Sequence, residues 1–371
     1  MPAKIPHERF YQYIARFMTA PLRLRTDGSP TKLTFDIAPA ICQRLVQDVD
    51  AIDKPFAFSE YFQHACRIRF RIGEMPFNAT TLPAEDWVFK APAWPPSSVS
   101  IRVNEERYPL PRKENVRKPR PCDVTRFMKV GCNVISVVVK PLFSDGNKHA
   151  YFAAVDLIAI AGHSFIMQHV QETKVLSEQD TLDVIRSRLS VCAVDGDEEN
   201  EILVDQELCI SLTDPFSATR VKLPCRGSGC RHLDPFDLET WLETRPTKKK
   251  CMHSFKEEPG CRKCAVYGVD WQEPSLVDSW KCPICSADAR PSYLVIDGFL
   301  KRVIESLAEQ GSDATKAIYV NAEGKWRAKE EPPDDDDGDS SDGEGPPAKR
   351  LASLAAKTKL STPAEVIVLD D

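Results

Sequence analysis

A chain of 371 residues with 42% hydrophobic residues can build two domains with proper cores and a tail, and it holds no apolar run long enough to span a bilayer. The formal charge of −6 is concentrated in one place: Glu330 to Glu344 carries nine acidic residues and no basic one, so the remainder sums to about +3 and has no strong nucleic-acid footprint. The opening MPAKIPHERFYQYIARF lacks a signal-peptide core, which points to a soluble protein of a reducing compartment, the cytosol or nucleus.

In chain order, residues 1–54 read as a leader packed on the next domain. They hold an amphipathic stretch around Phe10 to Met18, a turn at Asp27-Gly28-Ser29-Pro30, a strand-like TKLTFDI and a short helical run from Pro39 to Val46. Residues 55–175 change to strands: HACRIRFRI, SVSIRV, NVISVVVK and AYFAAVDLIAI are rich in β-branched residues and are parted by Pro and Gly breaks. This pattern predicts a β-rich, sandwich-like domain, with His149, His163 and His169 as surface or capped histidines rather than ligands.

Residues 176–200 read as a linker helix and an acidic loop, with Ser177 as N-cap and Asp180 as the capping-box acid three residues on. From 201 to 329 a strand, turn and strand lead into DPFDLETWLE, a short helix with Asp237 at its positive end. SYLVIDGFLKRVIESLAEQ then gives a strand and a helix with an apolar face of Phe299, Leu300, Val303, Ile304 and Leu307, and AIYVNAEGKWRAKE a hairpin turning at Asn321 to Gly324. Residues 330–371, rich in Pro, Asp, Gly and Ser, cannot bury enough apolar surface to fold and are expected to be disordered. The fold class is therefore α+β.

Seven of the thirteen cysteines fall between Cys225 and Cys285. Two half-sites stand out, Cys230-x-His232 and Cys282-x-x-Cys285, because a C-x-x-C turn sets two thiolates on one ion and a C-x-H pair completes a tetrahedron. A redox C-x-x-C or a disulfide would need a strand-helix redox pattern or an oxidising compartment, and neither is indicated. No His-Glu pair that could use an open coordination position lies nearby, so the zinc is expected to hold shape rather than do chemistry.

These residues carry a resemblance. The run ISLTDPFSATRVKLPCRGSGCRHLDPFDLETWL, followed by WKCPIC and LVIDGFL, resembles an SP-RING (MIZ-type) finger. Upstream, RKPRPCDVT, with FRIGE, VSIRVNEERYPLP and NVISVVV around it, resembles a PINIT domain, and the order along roughly residues 10–327 is similar to that of Siz/PIAS-type SUMO ligases. Three departures stand out. Asp214 and Pro235 replace cysteines usual in the family, so the first lobe is expected to be held by hydrogen bonds and packing. His232 and Cys282 are separated by 49 residues, and this insert carries Cys251-x-His253 and Cys261-x-x-Cys264, spacing that fits a possible second zinc. No SAP-type helical unit precedes the PINIT-like region, so direct DNA binding is not indicated.

The resemblance implies a nuclear ligase with no catalytic nucleophile of its own, which holds a SUMO-charged conjugating enzyme against a protein substrate's lysine. Phe216, Pro283 and Ile284 would contact that enzyme, and the PINIT-like domain would present the substrate. The C-terminal VIVLDD, with Val366, Ile367, Val368 and Leu369, reads as a strand-forming SUMO-interaction motif. Two alternatives stand beside this reading. One is a two-zinc RING ubiquitin ligase using Cys225, Cys230, Cys251, His253, Cys261, Cys264, Cys282 and Cys285, whose His253–Cys261 spacing is too long and which leaves His232 unused. The other is a non-enzymatic transcriptional co-regulator that uses the finger as a binding module.

Overall fold

The computed structural model describes residues 8–46, 48–49, 58–59, 62–80, 87–96, 98–110, 120–140, 149–192, 207–247 and 274–330. Cys251, His253, Cys261 and Cys264 of the possible second zinc site, and Val366 to Leu369, lie outside the described residues. Met1–Glu330 forms one unit of the chain and Glu331–Asp371 a second.

The N-terminal half is built from β1 (Phe10–Phe17), β2 (Leu22–Arg23), β3 (Pro30–Ile37), the short helix α1 (Pro39–Cys42), β4 (Asp48–Val49), β5 (Phe58–Ser59), β6 (Cys66–Pro76), β7 (Val99–Val103), β8 (Glu106–Arg107), β9 (Cys122–Asp123), β10 (Gly131–Val139) and β11 (His149–Gly162). One antiparallel sheet runs β1-β11-β6-β9 with β2 also on β11, and a second runs β3-β10-β7-β8. Period-2 alternation in β3 turns Thr31, Leu33, Phe35 and Ile37 inward and leaves Lys32, Thr34 and Asp36 exposed. Those apolar residues, with Ile135, Val137 and Val139 of β10, pack against Ile68, Phe70 and Ile72 of β6 and Tyr151, Ala153 and Val155 of β11. Each such side chain contributes about 2 kcal/mol by leaving water, and the result is the expected sandwich. Residues 10–37, expected as part of a leader, supply two long strands of the sandwich itself, β1 on β11 and β3 on β10.

The first sheet is covered on both faces, so its central strands lose the alternation. On its outer face Trp87 packs on Ala150, Phe152 and Ala154. Gly73 makes that contact possible, since a Cβ there would lie 2.9 Å from the indole ring. The same face buries Arg69, Arg71 and Asp156. Arg69 reaches Asp156 at 3.0 Å and forks onto both carboxylate oxygens of Asp278 at 3.0 and 2.9 Å, while Arg71 lies 3.2 Å from Asp156.

The C-terminal half contains α2 (His163–Thr173), β12 (Val175–Leu176), α3 (Glu178–Cys192), β13 (Leu208–Ser211), β14 (Pro224–Gly227), β15 (Phe236–Asp237), α4 (Leu238–Glu243), β16 (Leu294–Asp297), α5 (Gly298–Glu309), β17 (Ala317–Val320) and β18 (Trp326–Ala328). The capping box at α3 is formed: the Ser177 hydroxyl accepts from the Asp180 amide at 3.2 Å and the Asp180 carboxylate accepts from the Ser177 amide at 3.1 Å. Ile185 and Leu189 of α3 pack against the apolar face of α5, where Phe299, Leu300, Val303, Ile304 and Leu307 are all buried. β17 and β18 form the expected hairpin and add to β13, and β12-β16-β14-β15 makes the sheet under the cysteines.

β1 joins the two halves. Its Tyr11 is buried in the same cluster as Phe236, Trp241 and Trp280. Its outer edge is covered by the C-terminal half: the Phe10 carbonyl accepts from the Ser275 amide at 3.2 Å, the Gln12 amide donates to the Ser275 hydroxyl at 3.0 Å, and the Trp280 indole donates to the Gln12 carbonyl at 2.7 Å. Arg290 donates to the carbonyl of Ile14. No helix among the described residues is long and apolar enough to cross a membrane.

Candidate metal centre

Two tight turns aim the half-sites at one point. After β14 the chain folds back with the Cys230 amide on the Gly227 carbonyl at 2.9 Å. Gly227 is required there because a Cβ would stand 2.3 Å from the Asp288 carbonyl oxygen. The second turn closes through the Ser286 amide on the Cys282 carbonyl at 2.9 Å and the Cys282 amide on the Ala287 carbonyl at 2.8 Å. The donor atoms of Cys230, His232, Cys282 and Cys285 all lie within 4.8 Å of one another.

The donor set suits zinc. The Cys230 and Cys285 sulfurs are 3.6 Å apart, and His232 Nε2 is 3.2 Å from the Cys282 sulfur. A tetrahedral ion with Zn–S bonds of about 2.3 Å sets neighbouring sulfurs ~3.8 Å apart, whereas a disulfide would bring them to ~2.05 Å. His232 Nδ1 donates to the Asp234 carbonyl at 2.8 Å, which leaves Nε2 with its lone pair toward the sulfurs. The Cys282 thiol is held below its ordinary value, chiefly by a hydrogen bond from the Cys230 thiol and then, against its burial, by the amides of Cys285 and Ile284. Three sulfurs and one imidazole would fill the four positions of a tetrahedral ion, leaving none for a reactive water. Among the described residues Cys225 stands outside the cluster, fully buried, and burial pushes its thiol up; the other ligands of the RING grouping at Cys251, His253, Cys261 and Cys264 lie outside the described residues.

The opposite lobe is held by carboxylates. Asp214 is fully buried, and its side chain accepts from the amides of Phe216 at 3.0 Å and Ser217 at 2.8 Å, from the Ser217 hydroxyl at 3.0 Å and from the Asp237 amide at 2.9 Å. Asp237 accepts from the amides of Lys222 and Leu223 at 2.9 Å each and caps α4 through the Thr240 amide at 3.1 Å. Replacing Asp214 with Ala strands the buried Asp237 amide and the part-buried amides of Phe216 and Ser217, and we expect a loss of about 3 kcal/mol in chemical denaturation. A loss below ~1 kcal/mol would show that water takes over these bonds.

The loops that these anchors hold carry exposed apolar residues. Phe216 is 43% and Ile284 41% exposed, while Pro283 is half-buried. Phe216 leans on Trp241 with ring centroids 5.8 Å apart, and Trp241 meets Trp280 edge-on at 6.4 Å, two residues before Cys282. The first loop therefore rests on the Trp241–Trp280 pair and the second follows Trp280 in the chain, and neither Phe216 nor Ile284 is spent in the core.

No family model matches the chain. It is 26% identical over 197 residues to the E3 SUMO-protein ligase pli1 of Schizosaccharomyces pombe, a match covering 51% of this chain and 22% of that protein. It is 22% identical over 284 residues to the E3 SUMO-protein ligase PIAS3 of Homo sapiens, covering 74% of this chain and 37% of that protein. Human zinc finger MIZ domain-containing protein 2 is 22% identical over 263 residues, covering 70% of this chain and 24% of that protein. The chain is a distant homologue of the Siz/PIAS-type SUMO ligases. It spans between 22% and 37% of the length of these relatives. Within this Siz/PIAS homologue, Asp297 is an anchor that reading the sequence missed: it caps α5 through the Leu300 amide at 3.1 Å and accepts from Thr181 at 2.9 Å and Arg226 at 3.3 Å. An Asp directly before a strongly amphipathic run was the available signal.

Proposed function

We propose that this chain is a SUMO ligase that holds a SUMO-charged conjugating enzyme on its zinc-stabilised C-terminal lobe and acts in the nucleus. The observation that carries the reading is the exposure of two apolar loops, one around Phe216 resting on Trp241 and one around Pro283-Ile284 inside the turn of a four-donor centre. Cys230, His232, Cys282 and Cys285 would hold the zinc, which supplies folding free energy to the loops. The chain itself needs no nucleophile: fixing the thioester beside a substrate lysine turns an encounter into a step between held partners. The sandwich would present the protein substrate.

Incubation of the chain with the SUMO machinery and, in parallel, the ubiquitin machinery tests this. Stimulated transfer of SUMO alone is the expected result. Ubiquitin transfer would revive the RING reading, and silence in both would leave a binding module. In the active assay, Ile284→Ala and Phe216→Ala should each lower transfer about tenfold, the effect of truncating a central interface side chain. Zinc content and thermal stability should stay at the wild-type level; unfolding of both variants would return these residues to a packing role.

A further inference from the structure

The outer face of the second sheet carries a row of cations that the zinc lobe does not explain. Register sets Lys32 of β3 opposite Ser136 of β10, Ser136 opposite Arg102 of β7, and Arg102 opposite Arg107 of β8. Lys32, Arg102 and Arg107 are all exposed, and neighbouring strands lie ~4.8 Å apart, so the row crosses the whole four-stranded face. None of the three makes an ion pair or side-chain hydrogen bond among the described residues.

The Arg102–Arg107 pair is the anomaly. Residues 104 and 105 form the two-residue turn between β7 and β8, with φ of 49° and 72°, and the Tyr108 amide bonds the Ile101 carbonyl at 2.9 Å. Arg102 and Arg107 therefore face each other at a non-hydrogen-bonded position, where side chains stand closest and like charges destabilise the pair. The turn is locked: the Asn104 side chain donates to the Phe127 carbonyl at 2.9 Å and to Asn133 Oδ1 at 2.8 Å, and accepts from the Val134 amide at 2.9 Å. The acids nearby do not relieve the pair. Glu105 lies at the turn, Glu106 shares register with inward-facing Val103, and Asp36 sits two cross-strand rows away opposite Cys132.

We propose that this face is a docking surface for an acidic segment of a protein partner. Partly exposed Val134 and Val138 flank the cation row, so carboxylates and aliphatic side chains of an extended peptide both find complements. Among the described residues, the four strands of this face turn no aromatic side chain outward for bases to stack upon, which disfavours a single-stranded nucleic acid.

The experiment measures binding and does not depend on ligase activity. Full chain is titrated against a fluorescein-labelled peptide of alternating Glu and Val, with oligo-dT as comparator, at low and raised salt. The peptide should bind at low salt, weaken as salt rises, and weaken about tenfold for Arg102→Glu with Arg107→Glu, while the paired Lys variant keeps most of the affinity. Thermal midpoints of both variants should stay at the wild-type level, since each exchanges one like-charged pair for another on an exposed face. Absence of peptide binding, equal binding to the charge-reversed variant, or tighter binding of oligo-dT through the same arginines would each overturn the proposal.

Discussion

Cys282→Ala should cost the chain its zinc and unfold the C-terminal lobe while the sandwich remains folded. A structural zinc contributes on the order of 10 kcal/mol to folding, as much as the whole net stability of a typical domain. Packing cannot replace it, because Cys230 and Cys282 are themselves buried members of the cluster around Trp241 and Trp280. The sandwich has a separate core around Phe35, Phe70 and Val137, and β1 keeps its pairing with β11. Hydrogen exchange should therefore show lost protection through Leu294–Asp297 and retained protection through Gly131–Val139. Metal analysis accompanies it: undiminished zinc in the variant would reject the assignment. A wild-type content of two ions would also support a second centre at Cys251, His253, Cys261 and Cys264, and a content of one would reject that centre.

The second large effect is expected at Asp156. It is fully buried between Arg69 and Arg71, and the cluster balances two guanidiniums against Asp156 and Asp278. Asp156→Ala leaves Arg71 buried with no carboxylate, and removal of one partner from a buried ion cluster costs about 3–5 kcal/mol. Asp278→Asn should cost much less, because the Asp278 side chain is 44% exposed and water can replace its part of the fork. Denaturant unfolding of both variants checks the order. Equal and small losses would mean that the cluster relaxes around water rather than holding as a charged unit.

What could be read in the sequence was local. Ser177 and Asp180 announce their capping box within three residues, the face of α5 repeats at helical spacing, and the half-sites at Cys230 and Cys282 carry ligand spacing in themselves. The scattered histidines also behave as expected: His149 pairs with Glu74 at 2.6 Å, and His163 meets the Tyr11 hydroxyl at 2.9 Å. What could not be read was long-range. Arg69 and Asp278 are 209 residues apart, and nothing near either marks the other as its partner. β6 and β11 hid their alternation because both faces of their sheet are covered, so charged residues sit where an open sheet would show solvent. Residues 10–17 carried no sign that the strand serves two cores at once, since that depends on Trp280 and Arg290, more than 260 residues downstream.

That double duty of β1 shapes how the chain is made. Synthesis delivers Phe10–Phe17 first, yet its pairing partner β11 emerges about 140 residues later and the side chains that cap its edge later still, with Gln12 and Trp280 separated by 268 positions. At roughly 5–20 residues per second, the strand waits some tens of seconds on the ribosome with its hydrogen-bonding edge unpaired. An unpaired strand edge of this kind is what holding chaperones protect. It follows that cells short of such helpers should yield this protein poorly, and that slowing elongation, which lengthens the exposure, should lower the folded fraction further.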